Sequence, residues 1–498
     1  MTKHEVLVAT DFGHRVAEDE VDALESYFVE TDNWNRLVTG EIDVVYGPKG
    51  AGKSALYSLL VARTNELFDH NVLLVPAEKP RGTPAFRDLV VDPPATEQEF
   101  TNLWKLYFLS LLCGAFEEYG IENEEAHELQ KMLTASGLIK GKQSLQALVQ
   151  TAFDYVKRLL RPEAVEGGMS VDPATQLPTG FTGKIIFGEP NDIARKEGIE
   201  SIDNLLGLAN SALCKYAKYK AWLLLDRLDV AFAESFELEQ NALRALFRVY
   251  LDLLDYEYVR LKIFLRSDIW NRITREGFRE ASHITKHVTV SWDRSSLLNL
   301  IVRRALHNEV ICEHYEVNPA EVLATTKSQE EFFFRMFPEQ VDVGPNKPVT
   351  LDWMLSRTRD GSQLNAPREL IHLLGSLRTQ QLRRFELGEP VPDGEALFAR
   401  PAFKQALPEV SEVRLTQTVF AEHPDLREAI EALKGERTSQ RPDTLASIWE
   451  VDKEVAKEQA TALVSVGFFE RRGTKENPEY WVPFLYRDSL NLIQGAAD

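Results

Sequence analysis

Glu41–Tyr46 (EIDVVY), Gly47–Ser54 (GPKGAGKS) and Ala55–Arg63 (ALYSLLVAR) follow one another without a break. The first is a short apolar run that reads as a buried strand, and the last spaces its apolar residues as a helix does. Between them Gly47, Pro48, Lys49, Gly50, Ala51, Gly52, Lys53 and Ser54 satisfy G-x-x-x-x-G-K-[ST] in full. Each residue type has a chemical reason. Glycines let backbone N–H groups turn inward around a phosphate, and the helix that Ala55 continues adds the positive end of its dipole. Lys53 is placed to reach the β- and γ-phosphates, and the Ser54 hydroxyl to ligate Mg²⁺. Residues 47–55 are therefore the expected phosphate-binding stretch. A strand before and a helix after are the setting this motif requires. The fold expected is α/β, a P-loop NTPase with a parallel sheet.

Further strands support that reading. Asn71–Pro76 (NVLLVP), Ala221–Leu225 (AWLLL) and Leu261–Leu265 (LKIFL) are short apolar runs separated by helical segments, which indicates a parallel sheet with helices on its faces. A phosphate loop needs an acid at the end of a neighbouring strand to help hold the metal. LLLDRLD supplies Asp226. Many ATPases put a glutamate next to polarise the attacking water, and here that position is Arg227. Asp229 either takes over that role or caps the next helix. Arg266, in LRSD, either senses the γ-phosphate or is a surface arginine at a strand end. Arg368 opens a later helix, from where it can reach back to the nucleotide. Arg303 and Arg304 suit a trans-acting finger in an oligomer, although a solvated helix face is the better reading.

Composition bounds the rest. The chain has 498 residues, more than one hydrophobic core usually serves. Lys plus Arg number 57 against 77 Asp plus Glu, so the net charge of −20 disfavours wholesale coating of DNA or anionic lipid. Cys113, Cys214 and Cys312 are scattered and odd in number, which argues against a disulfide framework or a thiolate metal cluster. The first twenty residues lack an apolar core of signal-peptide length, and no run is long enough to span a membrane. A cytoplasmic protein is expected. Three domains are expected: residues 1–295, with a helical insert at about 97–220; a helical lid at 296–400; and a winged-helix domain at 401–498. One helix is expected over Ala17–Leu37, a loop or small hairpin over Pro162–Asn191, and a linker around Pro390, Pro392 and Pro401.

The order of parts resembles the AAA+ and STAND branch of P-loop ATPases, in particular KAP-like and initiator-type ATPases with a C-terminal winged helix. The likeness rests on GPKGAGKS at 47–54, LLLDRLD at 223–229, LRSD at 265–268 and the pair Pro367-Arg368. LLLDRLD looks like the KAP-type acidic motif with its second acid replaced by Arg227. LRSD is similar to the arginine-bearing sensor segment of STAND proteins, and the Pro-Arg pair to the lid sensor of initiator-type proteins. HVTVSWDRSSLLNLIVRRAL, in which Trp292 leads into a lid helix, looks like bacterial ATPases of this kind, many found in defence settings. The resemblance implies an ASCE/AAA+-like core, ATP with Mg²⁺ as cofactors, and an ATP-hydrolysing switch. It assigns catalytic roles to Lys53, Asp226, Asp229 and Arg266, metal contacts to Ser54 and Asp226, and nucleotide contact to Arg368. It also implies a homo-oligomer or an effector partner protein, possible DNA contact through the winged helix, and no membrane.

The winged-helix reading rests on Asp443–Glu450, Glu454–Val466 and a ribbon over Phe468–Arg472 and Glu479–Pro483. Over Asp452–Val466, Lys453 and Lys457 face Asp452, Glu454 and Glu458, an unfavourable balance for phosphate contact. The wing mixes Arg471, Arg472 and Lys475 with Glu470, Glu476 and Glu479. A regulatory or protein-contacting role is favoured over base reading. Three functions stand: a nucleotide-gated switch, an initiator-like DNA-binding ATPase, and a scaffold that holds nucleotide without turnover.

Overall fold

The computed structural model describes residues 1–16, 20–28, 31–77, 95–141, 143–160, 184–216, 218–228, 236–275 and 277–497. The chain packs as two compact units. One comprises Met1–Glu30, Lys49–Gly52 and Ser291–Asp498, and the other Thr31–Pro48 and Lys53–Val290.

The second unit is built on a five-stranded sheet. Its strands are β1 (Val44–Gly47), β2 (Val72–Pro76), β3 (Lys220–Leu225), β4 (Val259–Arg266) and β5 (His287–Thr289). They lie in the order β5-β1-β4-β3-β2, and every pair is parallel. β4 thus lies between β1, which enters the glycine-rich loop, and β3, which ends before Asp226. β1 is buried throughout and β3 at all but its first residue. Continuous aliphatic runs such as VVY and WLLL suit a parallel sheet covered on both faces. Much of one cover comes from the insert. Its helix Glu97–Glu118 opens on a Thr96/Glu99 capping box and is buried almost all round. Trp104 donates through Nε1 to the Ala242 carbonyl at 2.8 Å, and the Tyr107 hydroxyl to the Ala77 carbonyl at 2.6 Å. A helix apolar on every face has to be interior. Most of the loop expected over Pro162–Asn191 lies outside the described residues; within the remainder, Ile185–Ile186 pairs in parallel with Glu200–Ser201.

Within the first unit no division falls at residue 400. One core runs from Val6, Leu7 and Phe12 through Leu297 and Leu370 to Leu463 and Tyr486, so lid, C-terminal segment and N-terminus pack together. The helix Lys3–Ala9 buries Val6 and Leu7. Arg378 donates to the carbonyls of Leu7 (2.8 Å) and Val8 (2.8 Å), satisfying that helix's last turn. The single helix expected over Ala17–Leu37 is two, Val21–Tyr27 and Asp32–Val38, because Thr31 caps the second through the Trp34 amide. The segment expected as a lid opens on two helices, Arg294–Leu306 and Glu309–Tyr315. Pro401 does not belong to a linker. It sits in the first turn of the helix Arg400–Arg414, where its missing N–H has no partner to lose.

At the C-terminus are the helices Pro442–Ile448 and Lys453–Ser465 and a four-stranded sheet, where a two-stranded ribbon was expected. Its strands are β6 (Arg437–Gln440), β7 (Glu470–Gly473), β8 (Pro478–Trp481) and β9 (Ile493–Ala496), ordered β9-β6-β8-β7. β7–β8 and β8–β6 are antiparallel, and β9 runs parallel to β6. Ala456, Ala460 and Leu463 are buried in the unit's own core.

Candidate nucleotide site

β1 hands over to the helix Lys53–Ala62 through a loop whose Gly50 and Gly52 have φ of +81° and +97°. Those left-handed values are what glycine supplies without steric penalty. Lys53, in the helix's first turn, is 9% exposed. Its ammonium donates to the carbonyls of Gly47 (2.8 Å) and Pro48 (3.0 Å), so it lies across the base of the loop. Ser54 and Ala55 follow in the same turn, half-buried.

The sheet register brings the other expected groups to one edge. Gly47 on β1 is the direct partner of Arg266 on β4, while Leu225 on β3 is level with Ile263 on β4. Asp226, one residue beyond Leu225 and 5% exposed, therefore leaves the sheet at the same carboxyl edge as the phosphate loop. Ligands of parallel α/β sheets bind outside that edge. Arg227 follows with φ +58°. A non-glycine residue held left-handed directly after the acid is the kind of local strain found at functional sites. Asp229 lies outside the described residues.

Arg266 is not an exposed strand-end arginine. Its side chain is largely buried and grips Asp268 with both prongs, Nε to Oδ1 at 3.1 Å and Nη2 to Oδ2 at 2.8 Å. Burial works against the Asp268 charge. The Arg266 guanidinium outweighs it and, with the positive charge of Lys53, holds that carboxyl below the ordinary carboxylate range.

The loop tip Lys49–Gly52 makes its own contacts within the first unit. Trp292 donates through Nε1 to the Ala51 carbonyl at 2.8 Å. Lys49 forms an ion pair with Glu422. A Cβ built on Gly50 would come within 3.1 Å of the Arg368 Cβ and 3.4 Å of the Ala366 Cβ. The structure thus brings Gly50 and the expected Arg368 together. Glu422 and the Trp292 hydrogen bond were missed by sequence reasoning: Lys49 and Glu422 are 373 residues apart, and nothing local marks their pairing.

Behind Arg368 lies a buried ionic cluster. Arg414 donates to Glu369 (2.8 Å) and Asp360 (3.3 Å). Burial pushes the Asp360 carboxyl above its ordinary range, with Arg414 opposing, and pushes the Tyr486 phenol up to about 12. Arg304, expected as a finger or on a solvated face, is neither. It is 3% exposed and bridges Glu20 at 2.6 Å and the Phe12 carbonyl at 2.7 Å. Arg303 donates to Asn299 at 2.9 Å.

Several C-terminal cations have acidic neighbours. Lys453 pairs with Asp443 (2.8 Å), Lys457 with Glu454 (2.7 Å) and Arg472 with Glu470 (2.8 Å), and Arg472 also lies over the Trp481 ring. No helix among the described residues is long and apolar enough to cross a membrane. Nor do the described residues include a group of three or more His, Cys, Asp or Glu able to hold a metal. A magnesium ion that draws most of its ligands from phosphate and water needs no such group, and the Ser54 hydroxyl with the Asp226 carboxylate is a fitting donor pair.

Fold and site together define an α/β P-loop chain with an ASCE-like parallel sheet. No family model and no curated protein matches the sequence. Among solved structures the chain is similar to the ORC2 protein of Aeropyrum pernix, described as ADPNP-ADP complexes, at 10% identity and a TM-score of 0.37 over 95% of this chain and 92% of that one. A likeness of that size bears no functional weight.

Proposed function

We propose that this chain is an ATP-binding and slowly ATP-hydrolysing switch of AAA+ type, whose nucleotide state governs assembly or partner contact. One observation carries the reading: the in-register placement of Gly47 against Arg266, with Asp226 leaving the sheet at the same edge. Backbone N–H groups of residues 47–55 and the Lys53 ammonium hold the phosphates. Ser54 and Asp226 hold Mg²⁺, which neutralises phosphate charge when bound. Arg266 and Arg368 respond to the γ-phosphate, and differential contact with that group is the physical requirement for a switch. Because Arg227 stands where a water-polarising glutamate is common, turnover is slow or depends on Asp229.

The test is titration of a fluorescent ATP analogue into the parent and Lys53→Ala, with phosphate release from Asp226→Asn. Loss of binding in the first and of release in the second is expected. A Lys53→Ala chain that binds ATP with Mg²⁺ as the parent does ends the proposal. Particle size with and without a non-hydrolysable analogue then reads homo-oligomer assembly.

The C-terminal segment acts in this proposal as a regulatory winged helix that contacts protein. The pairing of Lys453, Lys457 and Arg472 with neighbouring acids supports that role over phosphate contact. Salt-dependent DNA binding weakened by Arg471→Glu with Arg472→Glu would favour the initiator-like alternative instead. No described surface supports the defence setting that the family resemblance implies.

A further inference from the structure

Asp268 stands at the carboxyl edge of the parallel sheet, and the proposed function leaves it without a task. It follows the strand-end Arg266, the direct partner of Gly47, and lies in the first turn of the helix Ser267–Arg275. Three features of the second unit give it one.

The first is the form of its grip. Its two oxygens accept from Nε and Nη2 of Arg266, at 3.1 and 2.8 Å. That is the side edge of the guanidinium plane, and Nη1 lies outside the grip. A guanidinium carries five donors in one rigid fork, so an acceptor on its side edge fixes the direction of all the others. The Asp268 side chain is also 47% exposed. An ion pair with one partner so wet contributes little to stability, and stability alone does not account for it. The second feature is the anchor. The helix buries Ile269 and Ile273, and Trp270 stacks on Tyr46 with ring centroids 4.9 Å apart and meets Phe247 edge-on at 4.9 Å. Tyr46 is the β1 residue directly before Gly47, so Asp268 is carried by a helix pinned to the strand that enters the phosphate loop. The third is charge. Burial opposes the ionised carboxyl, Arg266 outweighs that, and the Lys53 ammonium adds to it. The lysine at the base of the loop therefore acts on the same carboxylate that holds Arg266.

We propose that Asp268 is a positioning residue for the nucleotide: it aims the Arg266 fork at the γ-phosphate and so sets the preference of the site for triphosphate over diphosphate. This rests on the proposed function and adds to it a residue that touches no nucleotide itself. A strand-end arginine otherwise gives up much rotamer freedom when it meets a phosphate. Asp268 removes that freedom beforehand, which is what preorganisation supplies. A carboxylate near a phosphate repels it, so any gain in triphosphate affinity from Asp268 has to come through Arg266.

The probes are ADP and a non-hydrolysable ATP analogue, each titrated calorimetrically with Mg²⁺ into the full chain. Asp268→Asn is expected to weaken the analogue about fivefold, the scale of one lost ion pair and the side-chain freedom it restrains, while ADP affinity stays in place. In an Arg266→Gln chain, adding Asp268→Asn is expected to cause no further loss. If Asp268→Asn weakens ADP as well, the helix start has shifted, and Asp268→Ser decides by the same ratio of the two affinities. A tighter analogue in Asp268→Asn overturns the proposal, since Asp268 then competes for Arg266 instead of aiming it. An unchanged ratio in both Asp268 variants overturns it too, as does an equal loss with and without Arg266, which marks a merely structural role. A parent that binds neither ligand, or a Lys53→Ala chain that binds both as the parent does, ends the nucleotide reading itself and this inference with it.

Discussion

Replacing Gly50 by alanine tests how the loop tip is held. Gly50 has φ +81°, a region that an L side chain enters at a cost of about 1–2 kcal/mol. The new methyl would lie 3.1 Å from the Arg368 Cβ and 3.4 Å from the Ala366 Cβ, both at the start of a well-packed helix. Neither is the far end of a flexible chain, so one of them must give by a few tenths of an ångström. Overpacking of that order costs about 1 kcal/mol or more. The sum, about 2–3 kcal/mol, corresponds to roughly 30- to 150-fold in the equilibrium for keeping the loop as it is. In a thermal melt the unit carrying the loop tip should lose about 4–12 °C. Gly52 is the control. It has φ +97° and nothing within 4 Å of its built Cβ, so Gly52→Ala bears the backbone cost alone. Differential scanning calorimetry of the nucleotide-free chains should rank Gly50→Ala below Gly52→Ala, and Gly52→Ala below the parent. A Gly50→Ala chain that melts with the parent, or above Gly52→Ala, refutes the crowding argument.

Arg414→Met should destabilise by about 3–5 kcal/mol, because it strands the buried Glu369 carboxylate. Adding Glu369→Gln and Asp360→Asn should recover most of that loss in a denaturant titration. The Asp268 carboxyl is held below its usual range, so its contribution is complete above about pH 4 and lost as pH falls through the folded value. Asp268→Asn should therefore flatten the acid limb of stability against pH. Asp360 is shifted the other way, and its contribution is lost as pH rises through its folded value. Asp360→Asn should accordingly match or exceed the parent in stability at pH 7, read by melting temperature across a pH series.

The parts that sequence made legible are those whose cause is local. VVY before GPKGAGKS marks β1 because a doubly covered strand must be apolar at every position, and the glycines mark the turn because only they take its φ values. The runs before Asp226 and Arg266 declared themselves in the same way. The two strands that extend the C-terminal ribbon into a sheet did not. β6 is RTSQ and β9 is IQGA, short and polar, with no alternation to detect. Arg304 was misjudged because its partner, Glu20, is 284 residues away, and a charge on a helix gives no sign of whether its counter-ion comes from solvent or from another element. The same distance hid Trp292 on Ala51 and Glu422 on Lys49.

Packing of the first unit also limits where that unit can bend. Gly361, a few residues before Arg368, donates its N–H to the Gly467 carbonyl at 2.7 Å. A Cβ on Gly361 would meet the Phe469 carbonyl oxygen at 2.3 Å, so the two backbones touch directly. Gln363 donates to Glu470 at 2.6 Å, while Arg414 ties Asp360, in that same segment, to Glu369, the neighbour of Arg368. The segment leading to Arg368 is thus fastened at one end to the turn before β7 and at the other to the helix that Arg368 begins. Backbone-to-backbone packing and a buried ion cluster have few alternative arrangements of similar energy, and a hinge needs at least two. A displacement of Arg368 is then expected to carry the turn before β7 with it. Bending is instead expected at segments that lack such ties, and 361–370 is excluded from them.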